Sequence, residues 1–398
     1  MHPLQNRTPV QVTHSAGNDQ LLYFTSTSLP AKNRGLVFLS DRTGDPNLFF
    51  LDFKTGREQQ LSRNEEGHLK SYVYFDGRPY RGLGKASISL DPDRGIVYYL
   101  QGREIRAVDL AGRERTLVEL PSGQMTAFTH VSADGSRLCV PTTDARALDD
   151  EHPLPAAKPD YSVDERVQTE GLSSYLRVFD TSTGREIETV PVPRAWITHV
   201  QFSPVDSGLI LYNHEWTCSD WGTRRMWLWD GRRHRQLRQE SGPEIVPPRS
   251  RNDWTCHEMW ERDGSAIIYH GTYFKDAPQV GGRAYLGRVR PDGSDTKEIV
   301  FPEGWNQYGH FTVGRPGQLV TDGYYRTGED SPEGNGKWLA LLNVNWSQGT
   351  IDWTPLLRHS SSWTSQDVHP HPIINDRCDA VYYTSDGDGP RAVYRLNI

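Results

Sequence analysis

Short apolar runs rich in β-branched and aromatic side chains recur along the chain, each bounded by polar, turn-forming residues. Seven of them share one form: GLVFLSD (35–41), GIVYYLQ (95–101), SRLCVPT (136–142), GLILYN (208–213), SAIIYHG (265–271), GQLVTDG (317–323) and DAVYYTSD (379–386). Their length and β-branched content predict buried strands. Several follow a turn of the form Ser-Ala-Asp-Gly-Ser or Arg-Asp-Gly-Ser. Hairpin signals come after them. The most literal copies are LDFKTGREQQL (51–61) and VFDTSTGREIETV (178–190), where Asp is followed three residues later by Thr-Gly-Arg-Glu. VDLAGRERTLVEL (108–120) is a shorter version, and LWDGRRHRQL (228–237) and VRPDGSDTKEIV (289–300) are looser ones. In each the glycine supplies the positive φ that a tight turn needs. No amphipathic helical pattern of convincing length lies between the units.

Seven units at spacings of about 40 to 70 residues predict an all-β chain, a seven-bladed β-propeller, because regular strand units of this size are the signature of that architecture. A solenoid would show more uniform repeats. At 398 residues the chain exceeds the usual size of one domain. A propeller grows by adding blades, however, and the expectation is a single domain over 1–398. Residues 8–14 are expected to add an outer strand that closes the last blade. Two stretches break the rhythm: 64–84, rich in Gly and Tyr, and 143–172, polar and Pro-containing, both read as long excursions from a blade.

Charge narrows the partners. The formal net charge is −7, and the 44 basic residues are scattered, which argues against a nucleic-acid groove. No stretch approaches the apolar length needed to span a bilayer, and the N-terminus carries no signal-peptide pattern. Four cysteines with no CxxC pair fit a reducing compartment. A soluble, cytoplasmic protein is expected.

In a propeller the innermost strand of each blade lines the central channel. Five such segments carry a histidine near their start: FTHVSADG (128–135), ITHVQFSP (197–204), TCHEMWERDG (255–264), YGHFTVGRPG (308–317) and QDVHPHPIINDR (366–377). They contain His130, His199, His257, His310, His369 and His371. A lone strand histidine is usually structural. The same slot filled in five blades points instead to a metal or catalytic cluster, since packing gives no reason to choose imidazole there. The pair His369 and His371 is spaced i, i+2, which in a strand places both on one face. Imidazoles with the amide oxygen of Gln366 make a borderline site for Mn²⁺, Zn²⁺ or a similar ion, with positions open to a substrate carboxylate. Arg225 in TRRMW is the matching guanidinium, and Arg224 should face the other way. His214 and Glu215 in YNHEWTC end the preceding strand and are further candidates.

At these residues the sequence resembles a known family. YNHEW…RRMW, TCHEMWERDGSAIIY followed by YFKD, GHF, and HSSSW…QDVHPHP…YYTSDGDG are similar to the oligogalacturonate lyases, seven-bladed propeller enzymes of intracellular pectin breakdown. The likeness in motifs runs from about residue 205 to the C-terminus and is architectural before it. It implies Mn²⁺ or another divalent metal held by His310, Gln366, His369 and His371, with His257 as base beside Arg225. His199, His214 and Lys275 of YFKD are the further candidates for substrate contacts. The chain departs from the family at Asp367-Val368, where Val-Thr is more usual, and at the 143–172 excursion. The implied activity is β-elimination on short oligogalacturonates, giving 4,5-unsaturated uronate products. Three alternatives stand beside it: a lyase for another uronate oligosaccharide, a non-enzymatic binding propeller, and a hydrolase using Glu215 and Glu258 as a carboxylate pair.

Overall fold

The computed structural model describes residues 7–66, 69–70, 82–147, 159–215, 224–238, 253–273, 282–307, 309–326 and 338–398. The strands form seven sheets, the blades of a seven-bladed β-propeller. Every strand pairing among the described residues is antiparallel except that of Leu69–Lys70 with Leu83–Gly84. Numbered in chain order, blades 1, 5, 6 and 7 belong to one compact unit (1–60 with 252–398), and blades 2, 3 and 4 to a second (61–251).

All seven apolar runs read from the sequence become strands, one in each blade. They are Gly35–Ser40, Ile96–Gln101, Arg137–Asp144, Ile210–Asn213, Ile267–Tyr273, Gln318–Arg326 and Ala380–Ser385. They read as continuous apolar runs because both faces are covered. In the first unit one apolar layer joins Ile268, Leu286 and Phe301 of blade 5 to Phe311, Leu342 and Trp353 of blade 6. A second joins Val320 and Leu339 to Val381 and Tyr383 of blade 7, and a third joins Tyr382 and Val393 to Phe38 and Phe49 of blade 1. In the other unit Leu176 and Val178 of blade 3 pack on Phe202, Ile210 and Tyr212 of blade 4.

Blade 7 is completed from the other end of the chain. Val10–Gln11 pairs antiparallel with Ala392–Asn397, in the register Val10 to Arg395 and Gln11 to Tyr394. This is the outer strand expected from residues 8–14.

One expectation is corrected. The 143–172 excursion contains a helix, Pro159–Glu170. Proline at its first position has the fixed φ and missing donor that a helix start tolerates. Among its described side chains Val163 and Val167, one turn apart, meet the core, against Met125, Leu172 and Trp196. Two valines among twelve mostly polar residues are too few to give a readable helical stripe. Among the described residues no helix is long and apolar enough to cross a membrane.

The repeated Asp-x-x-Thr-Gly hairpin has one construction. Asp52 Oδ1 accepts from the backbone N–H groups of Lys54 and Thr55 at 2.8 Å each, and Asp180 Oδ1 does the same for Ser182 (3.0 Å) and Thr183 (2.8 Å). Gly56 and Gly184 close the two turns at φ 68° and 73°. Their surroundings differ. A methyl group on Gly56 would meet nothing, whereas one on Gly184 would collide with the carbonyl oxygen of Leu117. Gly56→Ala is therefore expected to cost about 1–2 kcal/mol of backbone strain. Gly184→Ala should cost about 1–3 kcal/mol more from the collision. Urea unfolding of the two variants checks the order; equal losses would contradict it.

Candidate metal centre and polar cluster

Blades 5, 6 and 7 bring four of the expected histidines together. The rings of His310 and His371 have centroids 4.2 Å apart, His310 and His369 5.3 Å, and His369 and His371 5.8 Å. One ring nitrogen from each of the three lies within 4.8 Å of the others. Nitrogens bonded to one ion at about 2.1 Å stand roughly 3–4 Å apart, so small side-chain adjustments suffice for a divalent cation. The ring of His257 is 4.6 Å from that of His310.

Local backbone choices create this convergence. His257 sits at a β-bulge, where the register between Asp253–Trp260 and Ile267–Tyr273 shifts across Cys256 and Met259, and its φ is 48°. Bulges re-aim side chains in this way. His369 and His371 do not lie in a strand, which corrects the strand-face expectation. Gln366–Val368 forms a 3-10 turn, and the next strand starts only at Ile373. His369 is extended, at φ −68°, while His371 between its two prolines is left-handed, at φ 44°. Such a conformation is strained and persists only where the surroundings impose it. Here Thr384 N donates to Pro370 O (2.9 Å), Thr312 Oγ1 to Pro372 O (3.0 Å) and His371 N to Asp322 Oδ2 (3.0 Å).

Several members of this centre were not anticipated. Asp322 is fully buried and also accepts from His310, through its backbone N at Oδ1 (2.7 Å) and its ring Nδ1 at Oδ2 (3.3 Å). Burial would raise the Asp322 pKa, but the charge and hydrogen bond of His310, with the fields of His369 and His359, hold it below the ordinary carboxylate value. His270, also fully buried, sets its Nε2 2.8 Å from His257 Nδ1 and 3.1 Å from Gly309 O. Tyr23 and Phe24 wall the centre: Tyr23 lies 5.0 Å from His371, and Phe24 lies 5.0 Å from His310 and 5.7 Å from His257. Trp363 packs on His369 at 4.1 Å. Asp322 and His270 stand inside GQLVTDG and SAIIYHG, and a polar residue interrupting a buried strand was the available signal.

A second polar cluster lies in the 61–251 unit. Arg225 is buried and donates from Nη1 to Glu215 Oε1 at 3.1 Å, while Arg224 is half-buried. Thr198 Oγ1 bonds Glu215 Oε2 and lies 2.7 Å from His199 Nδ1. Asn213 organises the turn by accepting at Oδ1 from Thr198 N (3.0 Å) and His199 N (2.8 Å). Phe128 stacks on the His199 ring at 4.4 Å, with 10° between the planes. His130 serves as a brace there, accepting at Nδ1 from Phe202 N (3.1 Å). His214 is buried against Tyr212 and Trp227. Lys275 lies outside the described residues.

No protein-family model matches the chain. Two curated relatives do. An oligogalacturonide lyase of Pectobacterium atrosepticum is 26% identical over 91% of this chain and 86% of its own length. An oligogalacturonate lyase of Dickeya dadantii is 24% identical over 94% and 89%. The chain resembles the oligogalacturonate lyases over nearly its whole length. That extends the likeness through the first 200 residues, where the sequence motifs alone were only architectural. Two solved structures share the fold. One is an oligogalacturonate lyase in complex with manganese (TM-score 0.76), the other an oligogalacturonate lyase from Vibrio parahaemolyticus (TM-score 0.72). Each is 21% identical and covers 99% of this chain and 94% of its own.

The pKa of His214 is pushed down to about 4, by burial first and by His234 second. A histidine depressed in the folded state stabilises fully above its unfolded value of about 6.5, and that contribution is lost as pH falls toward about 4. The wild-type protein should therefore lose about 3 kcal/mol between those two pH values on this account. His214→Gln should flatten that part of the stability–pH curve measured by urea unfolding, and an unchanged slope would contradict it.

Proposed function

We propose that the protein is a metal-dependent lyase that cleaves short oligogalacturonates by β-elimination. The observation that carries this reading is the set of three imidazoles on His310, His369 and His371, with a fourth, His257, beside them but held by a different partner. The relatives named above carry the same activity in their names, and one of them was solved with manganese. We assign His310, His369 and His371, with Gln366 from the 3-10 turn that precedes His369, to the cation. Three imidazoles and an amide oxygen suit Mn²⁺ or a comparable divalent ion.

The C5 proton of a uronate is weakly acidic because a carboxylate is attached to the same carbon. A divalent cation would stabilise the negative charge that grows on that carboxylate as the proton leaves, a contribution worth several kcal/mol. His257 takes the proton. Its Nδ1 lies 2.8 Å from His270 Nε2, and neutral imidazole has the basicity to act near neutral pH. The electron pair left at C5 forms the C4–C5 double bond as the C4–O bond breaks, and the departing oxygen takes a proton from water to leave as the hydroxyl of the shorter saccharide. Arg225, buried and permanently charged, is assigned to the substrate carboxylate. Its ion pair with Glu215 fixes the guanidinium plane. Glu215, bonded to both Arg225 and Thr198, serves in this scheme as a positioning carboxylate. The reading places the protein in pectin breakdown in the cytoplasm, a reducing compartment that suits the free thiols of Cys139, Cys256 and Cys378.

The test is ultraviolet absorbance of the unsaturated product from digalacturonate and trigalacturonate. A rise abolished by chelator and restored by Mn²⁺ is expected. His257→Ala should lower kcat by about 10²–10⁴-fold while retaining Mn²⁺. Bound metal with no product from either oligomer would move the substrate to another uronate glycan. Neither metal nor product would leave a binding propeller.

A further inference from the structure

We infer that Asp322 is the positioning residue of the metal centre: its one carboxylate sets which nitrogen His310 offers and locks the His371 loop in place. The inference rests on the metal reading above.

Three hydrogen bonds converge on this group, and each constrains a ligand-bearing segment. Oδ1 accepts from His310 N (2.7 Å), and Oδ2 accepts from His371 N (3.0 Å) and from His310 Nδ1 (3.3 Å). A carboxylate can only accept. The Nδ1 of His310 must then carry the proton, which leaves the lone pair on Nε2 for a ligand. The bond to His371 N holds the left-handed backbone (φ 44°) that turns this ring toward the other two. Asp322 comes from the strand Gln318–Arg326 of blade 6, whereas His371 belongs to the loop entering blade 7. The carboxylate therefore ties the ligands of two blades into one geometry.

The surroundings are built for it. Asp322 has 0% exposure, and its neighbour Gly309 leaves the gap that it needs. A Cβ on Gly309 would stand 2.5 Å from Asp322 Oδ1 and 2.8 Å from Gly323 N. Thr321 Oγ1 donates to His310 O (2.9 Å), and Asp322 N donates to the same oxygen (3.2 Å), so His310 is held from both sides. Two backbone amides could be satisfied by a neutral acceptor. A full negative charge at zero exposure is costly without a positive partner. A divalent cation bound by His310 would supply such a partner through the ring. A carboxylate behind a ligating histidine fixes the tautomer and raises the ring's basicity, and its loss typically weakens metal binding by about 10–100-fold.

Asp322→Asn is the discriminating variant because it preserves shape. In either orientation its amide nitrogen sets a donor against a backbone N–H that the carboxylate accepts from, His310 N or His371 N, and it brings no charge to raise the basicity of the His310 ring. Chelator-stripped wild-type and Asp322→Asn proteins are titrated with MnCl₂ by calorimetry, with circular dichroism and the apo thermal midpoint recorded for both. The expected result is a folded variant that binds Mn²⁺ about 10–100-fold more weakly. A folded variant whose affinity lies within about twofold of wild type would overturn the inference and leave the lyase reading standing. A wild type that binds no Mn²⁺ would overturn both. If the variant does not fold, the wild-type apo protein decides the matter through ¹⁵N-histidine NMR, with His310 identified by the signal lost in His310→Gln. An Nδ1–H tautomer is expected, and an Nε2–H tautomer would sink the proposal.

Discussion

A twisted four-stranded sheet has two apolar faces and is stable only when both are covered. That requirement governs this molecule. Phe311 and Trp353 fill the layer between blades 5 and 6, Tyr383 the layer between 6 and 7, and Phe38 and Tyr382 the layer between 7 and 1. With the faces occupied by neighbours, the ends of the strands are where polar chemistry can be mounted. The imidazoles occupy such places: a bulge in Asp253–Trp260, the residue before Phe311–Val313, and the loop ahead of Ile373–Ile374. In blades 5, 6 and 7 the imidazoles of His257, His310, His369 and His371 thus stand where the ladder is interrupted or not yet begun, with Asp322 and His270 supporting them from within the buried strands.

The same division explains how so many imidazoles are tolerated out of water. Tyr23 and Phe24 give them apolar walls, while Asp322 and the carbonyl of Gly309 give their ring nitrogens partners. Left-handed backbone at His257 and His371 is strain that nearby bonds must hold. In the other unit Glu215 plays the balancing part for Arg225, with Thr198 and Asn213 completing its surroundings. Asp322 and Arg225 each have an identifiable opposite or a set of donors, as the energetics of burial demand.

Much of the fold was legible in the sequence because sheets covered on both faces leave uninterrupted apolar runs, and all seven strands came from such runs. The helix at Pro159–Glu170 was not, since Val163 and Val167 alone make no stripe. In the centre, recurrence carried the signal: histidine in one slot of several blades stood out against packing. The geometry did not follow from alternation. His369 and His371 meet through a turn and a left-handed residue that period-two reasoning cannot foresee. Asp322 and His270 stayed hidden because a single buried polar residue in a strand looks like an exception until its partners are known.

The pairing of Val10–Gln11 with Ala392–Asn397 has a consequence for the order of events during synthesis. Blades 5 and 6 can pack as they leave the ribosome, but blade 7 needs strands from both ends of the chain. The first strand must wait, its edge unpaired, until the last has been made. Val10, still 62% exposed in the finished fold, belongs to that waiting segment. Because His369 and His371 precede the last two strands of this blade, the imidazole set is completed late in biogenesis. The full set of ligands thus leaves the ribosome only shortly before the strands that close its scaffold.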